Sequence, residues 1–263
     1  MANKSYMLRG HPYSQATMKR MQLTDIMETF LERFAVNEMV YFEDDFLGDT
    51  INLDNYAVAN GGGASVASFA INVQANGAIR ATTGTGNGDT ASASLIGPAI
   101  LYGDQNPSIE FIWKPITAVT EARVELGVVD VVPGSTKPVV DTLATPTVNT
   151  SVVDAALYTY NHTGSTTTNQ LTTIGGSITA AKTTFTPATA RAATTRVRTR
   201  IMIIGNNVLL WDDGSLVVSH ATPGTDYIEG GNPVALWAYV RASSASSKSL
   251  DIDRISFVHE RAA

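Results

Sequence analysis

Residues Val208 to Val218 have the sequence VLLWDDGSLVV, which is the strongest fold signal in the chain. Two apolar runs meet here across Asp212-Asp213-Gly214-Ser215, and an Asp-Gly pair suits the positive φ angles of a tight hairpin turn. A second turn signal, Gly205-Asn206-Asn207, precedes the first run. Together the two turns predict that residues 196–219 form a three-stranded antiparallel meander.

Short apolar or alternating segments recur between turn residues along the rest of the chain after Val36. This pattern is typical of a β-sandwich or barrel. Residues 132–192 differ because they are rich in Thr and Ala. They predict long loops and short edge strands, with an externally presented patch that meets a partner as the alternative. The predicted strands are 39–46, 67–73, 77–82, 94–101, 107–115, 122–130, 155–161, 196–204, 206–211, 215–219, 233–241 and 249–259.

The N-terminal region has a helical pattern instead. Its apolar residues recur at helical spacing, which predicts one amphipathic helix at 15–36 after an irregular arm at 1–13. The methionine-rich stripe of this helix predicts a surface that attaches to a partner, and packing on the chain's own sandwich explains the stripe equally well. The chain is therefore predicted to divide into an arm and helix at 1–41 and a β-sandwich domain at 42–263. The predicted attachment residues are Met18, Met21, Ile26, Met27 and Phe30.

Composition narrows the class of protein. Apolar residues make up 44% of the 263 residues, so a sizeable core is available, while 16% are charged against about 25% in a typical domain. A net charge of −6 argues against nucleic acid as a partner. The absence of cysteine excludes disulfides, thiolate metal sites and cysteine nucleophiles. No apolar run follows Met1 and no window approaches about eighteen apolar residues, so neither a signal peptide nor a membrane span is predicted.

Residues that could carry chemistry are few and scattered. The histidines His11, His162, His220 and His259 lie far apart, which predicts surface or structural roles rather than a metal site. The chain has no Gly-x-Ser-x-Gly elbow and no Gly-rich phosphate loop ahead of a helix. The sequence therefore predicts no catalytic residue, no cofactor and no metal ligand.

Two acidic clusters leave alternatives open. Asp44-Asp45 and the nearby Asp49 favour a solvated strand end, with a generic cation site as the alternative. Asp251 and Asp253 alternate on a predicted strand, and Arg254 beside them favours a structural ion pair.

Arginine and tryptophan residues raise two further alternatives. Every second residue from Arg196 to Arg200 is Arg, so these side chains share one face of a strand. An exposed strand face is favoured there over a phosphate-binding ridge. Trp113, Trp211 and Trp237 lie in apolar strands, which favours core packing over a sugar-binding platform.

Four stretches resemble, in order, the concanavalin A-like lectin and glucanase jelly rolls. Phe42 to Asp49, followed by Leu53 to Tyr56, is similar to the opening of that fold, and Ile109 to Asp130 is similar to its central strands. Val208 to Val218 is similar to its hydrophobic-aromatic-Asp-Gly hairpin, and Ser249 to Phe257 to its closing strand. The resemblance implies an all-β, antiparallel two-sheet jelly-roll sandwich, preceded here by the N-terminal α-helix. It also implies that the two ends of the domain lie side by side.

Within that fold, the chain resembles structural proteins of tailed bacteriophages. The resemblance implies a non-enzymatic capsid decoration protein of the virion, which binds the outer surface of the major capsid protein or another virion protein and associates as a trimer. The alternative is a carbohydrate-binding module of a phage tail or fibre, with an exposed aromatic residue beside a groove of Asn, Asp and Thr. Laminarinase-like glycosidases of this fold carry Glu-x-Asp-x-x-Glu. Glu121, Glu125 and Asp130 fail that spacing, which argues against hydrolysis.

Overall fold

A computed structural model describes the chain in segments. The helix predicted at 15–36 lies outside the described residues, so the structure gives it no support, and the same holds for Met18, Met21, Ile26, Met27 and Phe30. Of the helices in the described part, none is long and apolar enough to cross a membrane. The described residues are 5–8, 11–14, 39–47, 51, 55–61, 68–72, 77–85, 92–117, 120–130, 137–143, 147–148, 152–163, 166–175, 181–187, 191–205, 207–221, 228 and 233–260.

Nearly all of the regular structure in these segments is β-strand, with one 3-10 turn at Gly103–Gln105. The strands are β1 (Ser5–Leu8), β2 (His11–Ser14), β3 (Met39–Asp44), β4 (Ala57–Asn60), β5 (Ser68–Ile71), β6 (Ile79–Thr82), β7 (Ser92–Tyr102), β8 (Ser108–Pro115), β9 (Ala122–Val129), β10 (Val140–Thr142), β11 (Thr147–Val148), β12 (Ala155–Thr163), β13 (Thr166–Ile174), β14 (Ala181–Thr184), β15 (Val197–Ile204), β16 (Asn207–Asp212), β17 (Ser215–Ala221), β18 (Pro233–Ala242) and β19 (Ser249–Glu260).

Two large antiparallel sheets form a sandwich. The seven-stranded sheet has the order β14-β13-β12-β9-β18-β7-β4, and the eight-stranded sheet has the order β17-β16-β15-β8-β19-β6-β5, with β3 also paired to β19. Glu43 of β3 lies opposite Ser256 of β19, so the two ends of the predicted domain lie side by side. The predicted all-β, antiparallel two-sheet sandwich is confirmed, while the division of the chain at residues 41 and 42 stays a prediction.

The main core lies between the sheets because strand residues alternate between the two faces. In β15, for example, Val197, Ile201 and Ile203 are buried while Arg198 is exposed. A second apolar cluster lies on the other face of the seven-stranded sheet, around Trp237 of β18. Both faces of that sheet are therefore buried, which accounts for the fully buried strand β9.

The predicted meander is confirmed. β16 pairs with β15 on one side and with β17 on the other, in antiparallel register. Asp213 and Gly214 form the turn between β16 and β17 with φ angles of 47° and 84°. Two successive positive φ angles are those of the tight hairpin turn that an Asp-Gly pair favours.

The prediction for residues 132–192 is partly wrong. β13 is a nine-residue strand in the interior of a sheet, between β12 and β14, and its residues from Asn169 to Ile174 are buried. Few of these residues are large and apolar, so the segment lacks the hydrophobic pattern that marks a strand in sequence. Threonine is β-branched and fits a pleated sheet, which is the physical reason that a Thr-rich strand forms there.

The irregular arm predicted at 1–13 is also partly wrong, because β1 and β2 form an antiparallel pair in it. Tyr6 lies opposite Tyr13 in the register, and aromatic residues favour strands.

Candidate functional site

A strand of the chain itself covers the outer face of the seven-stranded sheet. Val140, the first residue of β10, and Val139, which precedes it, pack with Trp237 and Tyr239 of β18 in one buried apolar cluster. The two aromatic rings stack with their centroids 5.9 Å apart. This sheet face is therefore part of a core, and its aromatic residues are not exposed to a ligand.

A buried ion pair fastens the covering strand to the sheet. Glu125 of β9 is fully buried and accepts hydrogen bonds from Arg123 Nη2 at 2.6 Å and from the amide nitrogen of Val139 at 2.8 Å. Arg123 in turn donates to the carbonyl oxygen of Val140. Burial lowers the pKa of Arg123 below its ordinary value, against the opposing effect of Glu125. A buried charge is tolerated only when it is paired and hydrogen-bonded in this way.

These contacts give the carboxylates of the β9 region structural roles. Glu125 is occupied by Arg123 and by the covering strand, and Asp130 accepts a hydrogen bond from the amide nitrogen of Val153 at 3.1 Å. A glycosidase needs one carboxyl group to protonate the leaving group and a second to act as nucleophile or base on the sugar. Glu125, buried beneath β10, cannot reach a sugar.

An open groove lies towards the inner face of the seven-stranded sheet, where the β12–β13 hairpin ends. Its volume is about 500 Å³, within the roughly 300–1,000 Å³ of sites that hold small ligands. Two aromatic rings, Tyr160 and Phe185, form part of its wall. The remaining lining residues are Thr120, His162, Thr167, Asn169, Thr186, Pro187 and Arg191.

A chain of hydrogen bonds behind the groove fixes the position of Asn169. Arg191 donates to the carboxylate of Asp212 and, through Nε, to the hydroxyl of Tyr158 at 2.9 Å. The Tyr158 hydroxyl donates to Oδ1 of Asn169 at 2.9 Å. Because Oδ1 is the acceptor, the amide nitrogen of Asn169 is a donor with no partner among the described residues.

Arg191 is the central donor of this series of hydrogen bonds, and aromatic rings surround it. Its guanidinium carbon lies 5.5 Å from the ring centroids of both Trp113 and Tyr158, which is the range of cation–π attraction. Burial alone would lower the pKa of Arg191, but Tyr158 and Asp212 outweigh it, and the pKa lies above its ordinary value. The cation is therefore permanent, and the hydrogen-bond chain is present before any ligand binds.

Further hydrogen-bonding groups face the groove from β12. His162 accepts a hydrogen bond from the amide nitrogen of Glu121 at its Nδ1, so a neutral His162 carries its proton on Nε2 as a donor. Burial raises the pKa of Tyr160 to about 12, although the charge of Arg191 opposes this, so the hydroxyl stays protonated. Together the lining offers a few fixed polar groups beside aromatic surface.

The predicted arginine row lies elsewhere, on the outer face of the eight-stranded sheet. Arg196 pairs with Asp253 at 3.0 Å, and Arg198 and Arg200 both pair with Glu110 of β8, at 2.7 and 2.9 Å. Arg254 also pairs with Glu110 and not with its neighbours in sequence. The predicted structural role of Asp251 is confirmed, although its partner is Arg80 at 2.6 Å.

The other predicted residues are distributed over the fold. Trp113 and Trp237 are fully buried, which confirms core packing, whereas Trp211 is half-buried beside Arg198 and Arg200. His220 lies 3.0 Å from the hydroxyl of Thr173, and the buried His259 stacks on Phe257, so both have structural roles.

The acidic stretch after β3 forms a strand end. Oδ1 of Asp44 accepts a hydrogen bond from the amide nitrogen of Phe46 at 2.9 Å, while Asp49 lies outside the described residues. Groups of three or more His, Asp or Glu that could hold a metal ion do not occur in the segments that the structure describes.

Sequence reasoning missed Asn169 and Arg191. Both lie in the Thr- and Ala-rich stretch that was predicted to be loops, and their partners Tyr158 and Asp212 belong to other strands. Only the Asp-Asp-Gly turn carried a signal, because Asp212 immediately precedes the turn residues.

The two-sheet sandwich is similar in fold to concanavalin A-like jelly-roll proteins of known structure. No family model and no curated protein matches the sequence. A protein of unknown function from Shewanella oneidensis MR-1 has a similar structure, with a TM-score of 0.58 and 15% identity over 95% of this chain and 98% of that chain. A laminarinase from Flavobacterium sp. UMI-01 has a TM-score of 0.53 and 15% identity, covering 83% of this chain and 98% of that chain. The carbohydrate recognition domain of Emp47p has a TM-score of 0.54 and 8% identity, over 83% and 94%.

These neighbours correct the functional prediction. Besides the three described, they include a laminarinase from Thermotoga petrophila RKU-1 and a β-glucanase from Bacillus licheniformis. Their names point to carbohydrate binding or to enzyme activity and not to a role in a virion, so the prediction of a capsid decoration protein that binds the major capsid protein is wrong. The expectation of a non-enzymatic chain gains no support from them and stays a prediction.

Proposed function

We propose that this protein is a carbohydrate-binding domain that holds a glycan in the groove at the end of the β12–β13 hairpin. The observation that carries the proposal is the pre-positioned amide of Asn169 beside the partly exposed ring of Phe185. Sugars have apolar ring faces and hydroxyl groups, so an aromatic surface beside fixed donors and acceptors matches both of their surfaces.

The order already present in the groove supports binding. Asn169 is held through Tyr158, Arg191 and Asp212, so its amide nitrogen needs no rearrangement to meet a sugar hydroxyl. A site that is ordered in advance loses less conformational entropy when it binds. Thr167 adds an exposed hydroxyl to the same lining.

The proposal is binding without hydrolysis. The buried Glu125 is committed to Arg123, and the described residues that line the groove offer aromatic, amide, hydroxyl, imidazole and guanidinium groups but no carboxylate. Hydrolysis by the usual mechanism requires two carboxyl groups beside the sugar.

The first prediction is that Asn169→Asp weakens glycan binding about tenfold, because it replaces the amide donor but keeps an oxygen that accepts from Tyr158. A glycan array, screened with and without Ca²⁺, first identifies a bound oligosaccharide, and calorimetry then measures its Kd. Thr167→Val should weaken binding by a few-fold, since it removes one neutral hydrogen bond.

Thr166→Val is the matched control, because neighbouring residues of a strand lie on opposite faces and Thr166 therefore points away from the groove. It should leave the Kd unchanged. A wild-type array that is blank under both conditions would contradict the proposed function. Release of new reducing ends from the bound oligosaccharide would contradict the claim that binding occurs without hydrolysis.

A further inference from the structure

Acidic and basic side chains occupy different depths on the outer face of the eight-stranded sheet. The acidic side chains are buried beneath the surface, with exposed fractions of 7% for Glu110, 0% for Asp251 and 14% for Asp253. The arginines paired with them reach solvent, with 48% for Arg198 and 63% for Arg196. A ligand that approaches this face therefore meets guanidinium groups before it meets a carboxylate.

Glu110 is hydrogen-bonded to three arginines of this face, Arg198, Arg200 and Arg254. It accepts from Nε of Arg198, from Nε and Nη2 of Arg200, and from Nη2 of Arg254, at distances of 2.7 to 3.1 Å. Each guanidinium has five N–H donors, so most of the donors remain for another acceptor. Exposed arginines normally lose much side-chain entropy when they bind, and this shared anchor reduces that cost.

The arginines form a row with a small pocket beside it. Arg198 and Arg200 are successive outward residues of β15, and Arg196 immediately precedes this strand, so the spacing along an extended chain is about 7 Å. Arg198, Arg200, Trp211 and Gly214 line a pocket of about 130 Å³. This volume is below the roughly 300–1,000 Å³ of pockets that enclose a whole ligand, and it suits a single tetrahedral oxyanion.

We propose that this face is a second binding site, which takes a sulfated polysaccharide: sulfate groups bind the guanidinium row and a sugar ring packs on the half-exposed Trp211. Arginine forks bind oxyanions through paired, charge-assisted hydrogen bonds. The indole of Trp211 next to Arg200 supplies the apolar surface that a sugar ring needs.

A sulfated polysaccharide fits this face better than a nucleic acid does. Double-stranded DNA carries one negative charge per about 1.7 Å, and the net charge of −6 on this chain repels such a dense row of phosphates. Asp213 also lies beside the middle of the row, where its carboxylate accepts a hydrogen bond from the amide nitrogen of Arg198. A polysaccharide whose sulfate groups are more widely spaced can bind separate arginines without placing a sulfate beside the carboxylate of Asp213.

The test compares a chondroitin sulfate hexasaccharide with the same hexasaccharide after desulfation, by calorimetry on the full chain. We expect the sulfated form to bind about tenfold more tightly, and the difference to shrink as salt screens the charges. Arg200→Gln should remove most of that difference in affinity, because it removes the guanidinium that lines the pocket beside Trp211. The fold should be kept, since Arg200 is only half-buried and Glu110 retains Arg198 and Arg254 as partners. Lys137→Gln is the charge-matched control, since Lys137 is exposed in the segment that precedes β10.

Three results would overturn the proposal. They are equal affinity for the two hexasaccharides, equal losses in Arg200→Gln and Lys137→Gln, and binding of a single-stranded DNA hexanucleotide as tight as that of the sulfated sugar. If Arg200→Gln unfolds, Arg198→Gln provides the same test. Thr167→Val, in the groove, should leave the affinity for the sulfated hexasaccharide unchanged. The two proposed sites can therefore be tested separately.

Discussion

Gly127 shows how one residue sets the spacing of the seven-stranded sheet. It lies in β9 between Leu157 of β12 and Trp237 of β18, with a φ of 156°. A Cβ atom at this position would lie 2.0 Å from the carbonyl oxygen of Ala156, which belongs to the backbone of the neighbouring strand. We therefore predict that Gly127→Ala lowers the free energy of unfolding by about 3 kcal/mol, measured by urea denaturation.

Gly214→Ala is the control for this substitution. Gly214 has a φ of 84°, but a Cβ atom there would have no atom within 4 Å. Only backbone strain opposes alanine at this turn, and we expect a loss of about 1 kcal/mol. If both substitutions lowered the free energy of unfolding equally, the close approach of Ala156 would not be the cause of the loss at Gly127.

At the scale of elements, the buried ion pair between Arg123 and Glu125 is hydrogen-bonded to the backbone of Val139 and Val140, so it links β10 to the sheet. Breaking one half of a buried pair typically costs about 3–5 kcal/mol, since the other charge is left unpaired. We predict that Glu125→Gln lowers the free energy of unfolding by this amount, about 3–5 kcal/mol. Replacing both Arg123 and Glu125 by Met should lower the free energy of unfolding by less, because no unpaired charge remains buried.

Hydrogen exchange distinguishes a local effect from a general one. The amide nitrogen of Val139 donates to Glu125, so its protection should fall in Glu125→Gln more than that of amides inside β12. If the amides of Val139 and of β12 lose protection equally, the carboxylate does not fasten the covering strand specifically.

The strands could be predicted from sequence wherever large apolar residues alternate, and the rest could not. β15, predicted at 196–204, begins at Val197 and ends at Ile204, because large apolar residues (Val197, Ile201 and Ile203) occupy three of its four inward positions. β13 lacks such residues at most positions and was missed. The groove depends on this missed strand, so its key amide, Asn169, had no signal in the sequence. The contact of Arg191 with Asp212 joins residues from separate strands, and a local pattern cannot reveal such contacts.

On the scale of the whole molecule, the eight-stranded sheet is assembled from distant parts of the chain. Its three central strands, β15, β8 and β19, come from residues 197–204, 108–115 and 249–260. Glu110 of β8 is hydrogen-bonded to Arg198 of β15 and to Arg254 of β19, so one carboxylate joins all three. Its ionisation should therefore affect global unfolding and not only a local segment.

This arrangement predicts how stability depends on pH. Burial alone would raise the pKa of Glu110, but Arg198 and Arg200 outweigh it and lower the pKa below its ordinary value. The unfolded chain therefore takes up this proton at higher pH than the folded protein does, and the stabilisation is complete above the ordinary value of about 4.3. As pH falls from about 5 through the folded pKa, the stabilisation is lost. Urea denaturation at successive pH values should thus show the stability gap between wild type and Glu110→Gln narrowing towards acid, whereas a gap that stays constant would show that the ionised carboxylate adds nothing.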